Sequence, residues 1–166
     1  QFGHAIVPTR PALVPLTFEA ADWAPFAALS GISLEVAIEA GQGKARVRFV
    51  EDLLFTHRGL SGPAVLQASS LWRHGESLQI DLLPGFDVAQ ALLDAKASSR
   101  RHLSNVLAQW LPQRLGDAWV ASEGLALTRP IAETKDADLR ALARALSRWQ
   151  VSPGGTEGFR KAEATA

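Results

Sequence analysis

The sequence predicts an α+β protein: a small β-barrel or curled antiparallel sheet, with a helical lobe inserted before its last strands. Three observations predict it. Residues 33–50 alternate apolar and polar side chains, the period of a half-buried strand. Residues 100–147 repeat theirs at intervals of three and four, the period of amphipathic helices. Residues 149–165 then return to an extended pattern. Segregated strands and helices argue against a doubly wound parallel sheet. The division assigns residues 1–86 and 148–166 to a barrel-like subdomain and residues 87–147 to a helical one.

In chain order, Pro8, Pro11 and Pro15 forbid a helix and favour an extended connector up to Leu16. Glu19–Leu29, interrupted by Pro25, holds a turn of helix at most. Ser33–Ala40 places Leu34, Val36 and Ile38 on one face. Gly41-Gln42-Gly43 turns the chain, and Lys44–Val50 alternates again with Ala45, Val47 and Phe49 inward. A tight turn would set Glu39 against Lys44 and Glu35 against Arg48. The basic row on the second strand then reads as a solvated sheet face. Ser77–Leu83 is another strand, with Leu78, Ile80 and Leu82 inward, and Asp87 is a natural N-cap for a helix through Val88, Leu92 and Ala95. Arg100–Leu111 reads as one helix, burying Leu103, Val106, Leu107, Trp110 and Leu111 and closed by Pro112. Gln113–Ser122 is a weaker helix, Thr128–Thr134 a linker, and Asp136–Ser147 a helix with Leu139, Leu142, Ala143 and Leu146 on one face. Phe159–Thr165 reads as a last strand.

The densest stretch is Leu53–Trp72, LLFTHRGLSGPAVLQASSLW. Leu53, Leu54 and Phe55 end a buried strand. Thr56, His57, Arg58, Gly59, Leu60, Ser61 and Gly62 read as a glycine-rich turn, and Pro63 opens a helix at the position where proline is favoured. Such a junction offers free backbone N–H groups, and the helix dipole favours an anion there. It is neither a P-loop nor the G-x-G-x-x-G fingerprint. From the motif alone, a tight structural turn with a good helix start is the plainer reading.

Composition excludes several classes. Seventeen basic and seventeen acidic residues give zero net charge, which argues against a nucleic-acid partner. No apolar run approaches the roughly 20 residues of a membrane span, so no membrane partner is expected. The chain has no cysteine, hence no disulfide or thiolate site, and this suits the cytoplasm. Four scattered histidines offer no metal-binding spacing, so no metal is expected. Methionine is absent too, and Gln1-Phe2-Gly3-His4 is not a signal peptide. These features suggest a piece excised from a larger protein.

FGHAIVPTRPALVPL, LLFTHRGLSGPAVLQASS, IDLLP and GTEGFRKAEATA, in this order, resemble the central insert domain of the BaiN-like flavoproteins (the YhiN type, or aminoacetone-oxidase family). In the helical part the resemblance rests mainly on LPQRL at Leu111–Leu115, and Ala164 stands where a typical member has valine. It implies a bacterial FAD-dependent NAD(P)H oxidoreductase, with the FAD-binding fingerprint outside this chain. The implied partners are the FAD-binding domain of the same parent chain and a small-molecule substrate. FAD and NAD(P)H would act in the parent, with no cofactor held by this segment alone. Thr56–Pro63 would line the domain boundary, with backbone donors at Leu60–Gly62 and close approach at Gly59 and Gly62. No catalytic residue is assigned; His57 is a candidate polar contact or proton donor, and more plainly a local hydrogen-bonder. The alternatives are an independent small-ligand or protein-binding barrel module with no redox role, and a purely structural spacer or oligomerisation domain.

Overall fold

The computed structural model describes residue 3 and residues 8–165. Of the opening motif, Phe2 and residues 4–7 therefore lie outside the described residues. The strands are β1 (Pro11–Ala12), β2 (Leu16–Thr17), β3 (Ser33–Ala40), β4 (Val47–Phe55), β5 (Gly59–Ser61), β6 (Leu78–Asp81), β7 (Trp149–Val151), β8 (Gly155–Thr156) and β9 (Ala164–Thr165). The helices are α1 (Ala20–Trp23), α2 (Pro63–Ser69), α3 (Val88–Ser98), α4 (Leu103–Leu107), α5 (Gln113–Ser122) and α6 (Asp136–Ser147).

Seven strands form one antiparallel sheet in the order β7-β6-β3-β4-β5-β2-β8. Its two edges, β7 and β8, are joined by residues 152–154 alone. From Val151 to Gly155 the chain spans at most about 14 Å, whereas the edges of a flat seven-stranded sheet would lie about 29 Å apart. The sheet must curl, and the α+β barrel expectation holds. Val36, Ile38, Leu53, Phe55, Leu60 and Ile80 are almost wholly buried, and α2 packs Ala64, Val65 and Ala68 against them.

The β3–β4 hairpin forms, but four residues out of the expected register. Glu39 faces Arg48 and Glu35 faces Asp52. The cause lies in the connection. Gly41 and Gly43 adopt φ +87° and +55°, and the chain between them and Arg46 makes a 3-10 turn over Gly43–Ala45. A Cβ on Gly41 would meet the Ala45 carbonyl oxygen at 2.6 Å. The second strand therefore starts at Val47, Ala45 and Val47 are exposed, and Glu39 pairs with Arg46 instead of Lys44.

Helices α3–α6 enter the chain between β6 and β7. Asp87 caps α3, accepting from the Gln90 N–H at 3.1 Å. The α6 face of Leu139, Leu142, Ala143 and Leu146 is buried as its spacing requires. Leu82 N–H donates to the Leu146 carbonyl at 3.0 Å, tying the end of β6 to α6. Buried apolar residues of barrel and lobe form one continuous cluster.

Four expectations fail here for tertiary reasons. The helix expected over Arg100–Leu111 shortens to α4. Residues 101–103 are held extended by the segment 129–131, with Leu103 N–H on the Arg129 carbonyl and Ile131 N–H on the Arg101 carbonyl, both at 2.9 Å. That segment is no mere linker, since Ile131 and Thr134 are buried. Trp110 falls beyond α4 and is only half-buried, its ring 5.1 Å from Phe86. Finally, Phe159–Lys161 is a 3-10 turn entered at Gly158 (φ +78°), so the last strand is only β9. β9 pairs antiparallel with β1, Pro11 opposite Thr165 and Ala12 opposite Ala164. The proline-rich connector thus contributes two short strands, separated by Leu13 at φ +52°.

Candidate functional site

Thr56–Pro63 is a hairpin followed by a helix, not one glycine-rich turn. Thr56 N–H donates to the Gly59 carbonyl at 2.9 Å, and Thr56 Oγ1 accepts from Gly59 N–H at 3.0 Å, leaving His57 and Arg58 exposed at the tip. Leu60 and Ser61 lie in the ladder opposite Phe55 and Leu54, and Leu60 also pairs with Leu16. The expected row of free donors over Leu60–Gly62 is corrected accordingly, because Leu60 and Ser61 belong to β5.

The two glycines answer to the chain itself. A Cβ on Gly59 would stand 2.0 Å from the Leu16 carbonyl oxygen, where β2 crosses. Gly62 has φ +90°, and a Cβ there would meet the Asp52 oxygen at 2.8 Å and the Leu54 nitrogen at 2.9 Å. The start of α2 is closed as well. Pro63 has no N–H, and Ala64 and Val65 are buried. Of the donors expected at this junction, Leu60 and Ser61 are thus taken into the ladder and Pro63 has none to give.

What the segment does support is the aromatic recess beside it. Trp23 Nε1 donates to the Thr56 carbonyl at 3.0 Å, and Phe18 N–H donates to the Arg58 carbonyl at 3.1 Å. Phe18 stacks on Trp23 with ring centroids 4.6 Å apart and planes 19° from parallel. Trp23 packs on Phe26 at 5.2 Å, Phe26 on Trp149 at 5.3 Å, and Trp149 on Phe55 at 5.9 Å. Phe18, Trp23, Phe26 and Trp149 wall a cleft of about 210 Å³ between α1 and β7, with Asp22, Gln150 and Ser152 as its polar members. Asp22, Gln150 and Ser152 are exposed, whereas Trp23 is buried at the floor. A flat, weakly polar ring with a hydrogen-bonding edge suits such a cleft.

Sequence reasoning missed this recess. Phe18, Trp23 and Phe26 fall close together in the chain and were a visible signal; Trp149 is remote and arrives only through β7. Among the described residues no group of histidine and carboxylate side chains could hold a metal ion, and no helix is long and apolar enough to cross a membrane.

Comparison with known proteins places this architecture. Residues 10–164 match the family model described as "HI0933-like protein barrel and H2TH domain". The chain belongs to that family. It is the family of the YhiN- and BaiN-like flavoproteins, so the resemblance seen in the sequence holds at that level. Over 166 residues the chain is 43% identical to the ribosomal RNA dihydrouridine synthase of Haemophilus influenzae and 41% identical to that of Escherichia coli K12. Each alignment covers 99% of this chain and 40% of the relative. The HI0933-like barrel and helical domain thus spans about two-fifths of the curated relatives it matches.

Proposed function

We propose that this chain is the barrel-and-helix insert of a flavin-dependent ribosomal RNA dihydrouridine synthase, and that its aromatic recess receives the uracil ring. The observation that carries the reading is the recess itself, in a chain 43% identical to a protein named for that reaction. Uracil is flat and presents an N3–H between two carbonyls. The part-exposed rings of Phe18, Phe26 and Trp149 offer aromatic surface over the Trp23 floor, the Asp22 carboxylate an acceptor for N3–H, and the Gln150 amide a donor for a carbonyl. A base in RNA must leave its stack to enter such a cleft, and mutually stacked aromatic walls offset that cost.

Reducing uridine to dihydrouridine adds a hydride and a proton across the C5–C6 double bond. FAD, with NAD(P)H as the ultimate reductant, would supply the hydride from the remainder of a longer cytoplasmic protein. This chain's residues would bind and orient the base. The pairing of β1 with β9 supports the insert reading, because it brings the incoming and outgoing segments side by side. From Ala12 in that ribbon to Phe18 in the recess the chain spans at most about 21 Å, within reach of one flavin domain. In this reading the exposed tip, His57 and Arg58, borders the FAD-binding domain, while Thr56 and Gly59–Pro63 hold the tip and recess in place. RNA then replaces the small-molecule substrate and the expected lack of a nucleic-acid partner, which rested on a chain-wide charge of zero and not on local chemistry.

The test uses the full-length protein. Asp22→Ala and Gln150→Ala change exposed side chains, so folding should shift by no more than about 0.5 kcal/mol. Dihydrouridine in ribosomal RNA, measured by mass spectrometry, should fall at least tenfold while flavin content stays at the parent level. Normal dihydrouridine in both variants would overturn the assignment of the recess. If the full-length parent leaves ribosomal RNA unreduced yet the recess binds another small ring, the binding-module alternative takes its place.

A further inference from the structure

We infer that the cleft between the start of α3 and the arginine face of α6 is a docking groove for the backbone of single-stranded RNA, with Phe86 as a stacking platform for a base outside the recess. The inference rests on the proposed function and extends it from the reacting base to the strand that carries it.

The groove encloses about 290 Å³. Arg140, Arg144 and Arg148 line it at i, i+4 and i+8. Successive members are about 6 Å apart along a helix axis. All three are exposed, and none forms a salt bridge or a side-chain hydrogen bond among the described residues. The one acidic residue in the lining, Asp87, is engaged in capping α3. Complementing the C-terminal dipole of α6 accounts for a cation in its last turn, not for Arg140 near the helix middle. Asp136 lies one turn before Arg140 and feels its charge, and Glu39 and Asp81 share a neighbouring cleft with Arg148, but within the groove three arginines face the single carboxylate of Asp87, a net positive lining that suits a polyanion.

Phe86 forms the opposite wall. It is 40% exposed, and the Trp110 ring packs against it at 5.1 Å, tilted by 55°. A cationic track beside an aromatic platform binds single strands through phosphates and base stacking together. A peptide partner would need an acidic and extended segment to match the arginines, and nothing in the groove selects one. The groove and the recess share no lining residue but adjoin along the chain. Arg148 lines the groove, and the next two residues, Trp149 and Gln150, line the recess. A strand lying along α6 would deliver one of its bases past Arg148 into the aromatic cleft.

The experiment measures binding of a fluorescein-labelled single-stranded RNA 12-mer containing uridine to the full-length protein, by anisotropy at several salt concentrations. The triple variant R140Q/R144Q/R148Q should bind at least tenfold more weakly. Its dependence of log K on log salt should flatten by about 2, since each phosphate contact to a single strand contributes about 0.7 to the slope. Phe86→Ala should weaken binding about tenfold with an unchanged slope, and both variants should melt with the parent. Dihydrouridine formation should show a raised KM at near-normal kcat. Affinity and slope equal to the parent in the triple variant, or no RNA binding by the parent, would overturn the groove. If the triple variant binds normally while Asp22→Ala abolishes the reaction, the groove fails and the recess stands. If the variant loses RNA binding but the parent makes no dihydrouridine, the groove stands and the reaction assignment fails.

Discussion

The segment Thr56–Pro63 and the recess between α1 and β7 lie side by side and differ in kind. The first is conspicuous in the sequence and closed in the structure; the second is inconspicuous in the sequence and open. Gly59 and Gly62 are needed because β2 and the backbone of residues 52–54 pass within a Cβ's reach of them. Phe18, Trp23, Phe26 and Trp149 converge from both ends of the chain to make a cleft that only the curled sheet creates. A glycine-rich stretch can therefore record how tightly a chain packs on itself, while the face offered to a ligand is assembled elsewhere.

The sharpest way to break that comparison is Gly59→Val. With an oxygen 2.0 Å from the new Cβ and backbone on both sides, the variant should lose more than about 4 kcal/mol, beyond the ordinary range of point mutants. Denaturant unfolding measures it, and a loss under 1 kcal/mol would reopen the segment as a ligand site. Next come two tryptophans of the lobe. Trp119 is 3% exposed and donates to the Ala145 carbonyl, so Trp119→Ala should cost about 3–5 kcal/mol. Trp110, half-buried against Phe86, should cost about half that, because less area leaves water on folding. Equal losses would show that Trp110 belongs to the core after all. His57→Ala should move stability by no more than about 0.5 kcal/mol, since the side chain is exposed. If flavin content of the full-length protein falls in that variant, the tip touches the flavin domain; if it does not, the tip is free.

The smallest effect is electrostatic. Lys96 donates to Asp136 at 2.6 Å, and this hydrogen bond with its charge holds the Asp136 carboxyl below its ordinary value of 3.8. A depressed carboxylate contributes stability above the unfolded pKa and loses it as pH falls through the folded one. Lys96→Met should therefore raise the Asp136 titration midpoint toward 3.8 by carboxyl NMR, and the difference from the parent should vanish at lower pH. An unmoved midpoint would remove this pair from the contacts between α3 and α6.

The sequence by itself determined what depends on neighbours along the chain. The 3.6-residue period of Leu139, Leu142, Ala143 and Leu146 reproduces α6, the cap at Asp87 starts α3, and alternation places β3 and β6. Periodicity and capping are set within a turn or two, so local residues suffice to reveal them. Only the tertiary structure decided the rest. The hairpin register depended on a 3-10 turn after Gly41, the short α4 on backbone bonds from residues 129–131, and β5 on β2 arriving opposite Leu60. The recess required residues 18 and 149 to meet, and the edges β7 and β8 to be joined by so short a connection that the sheet curls. Such approaches are made by segments far apart in the chain, and their free energy comes from burying the common core, which no local pattern of side chains records.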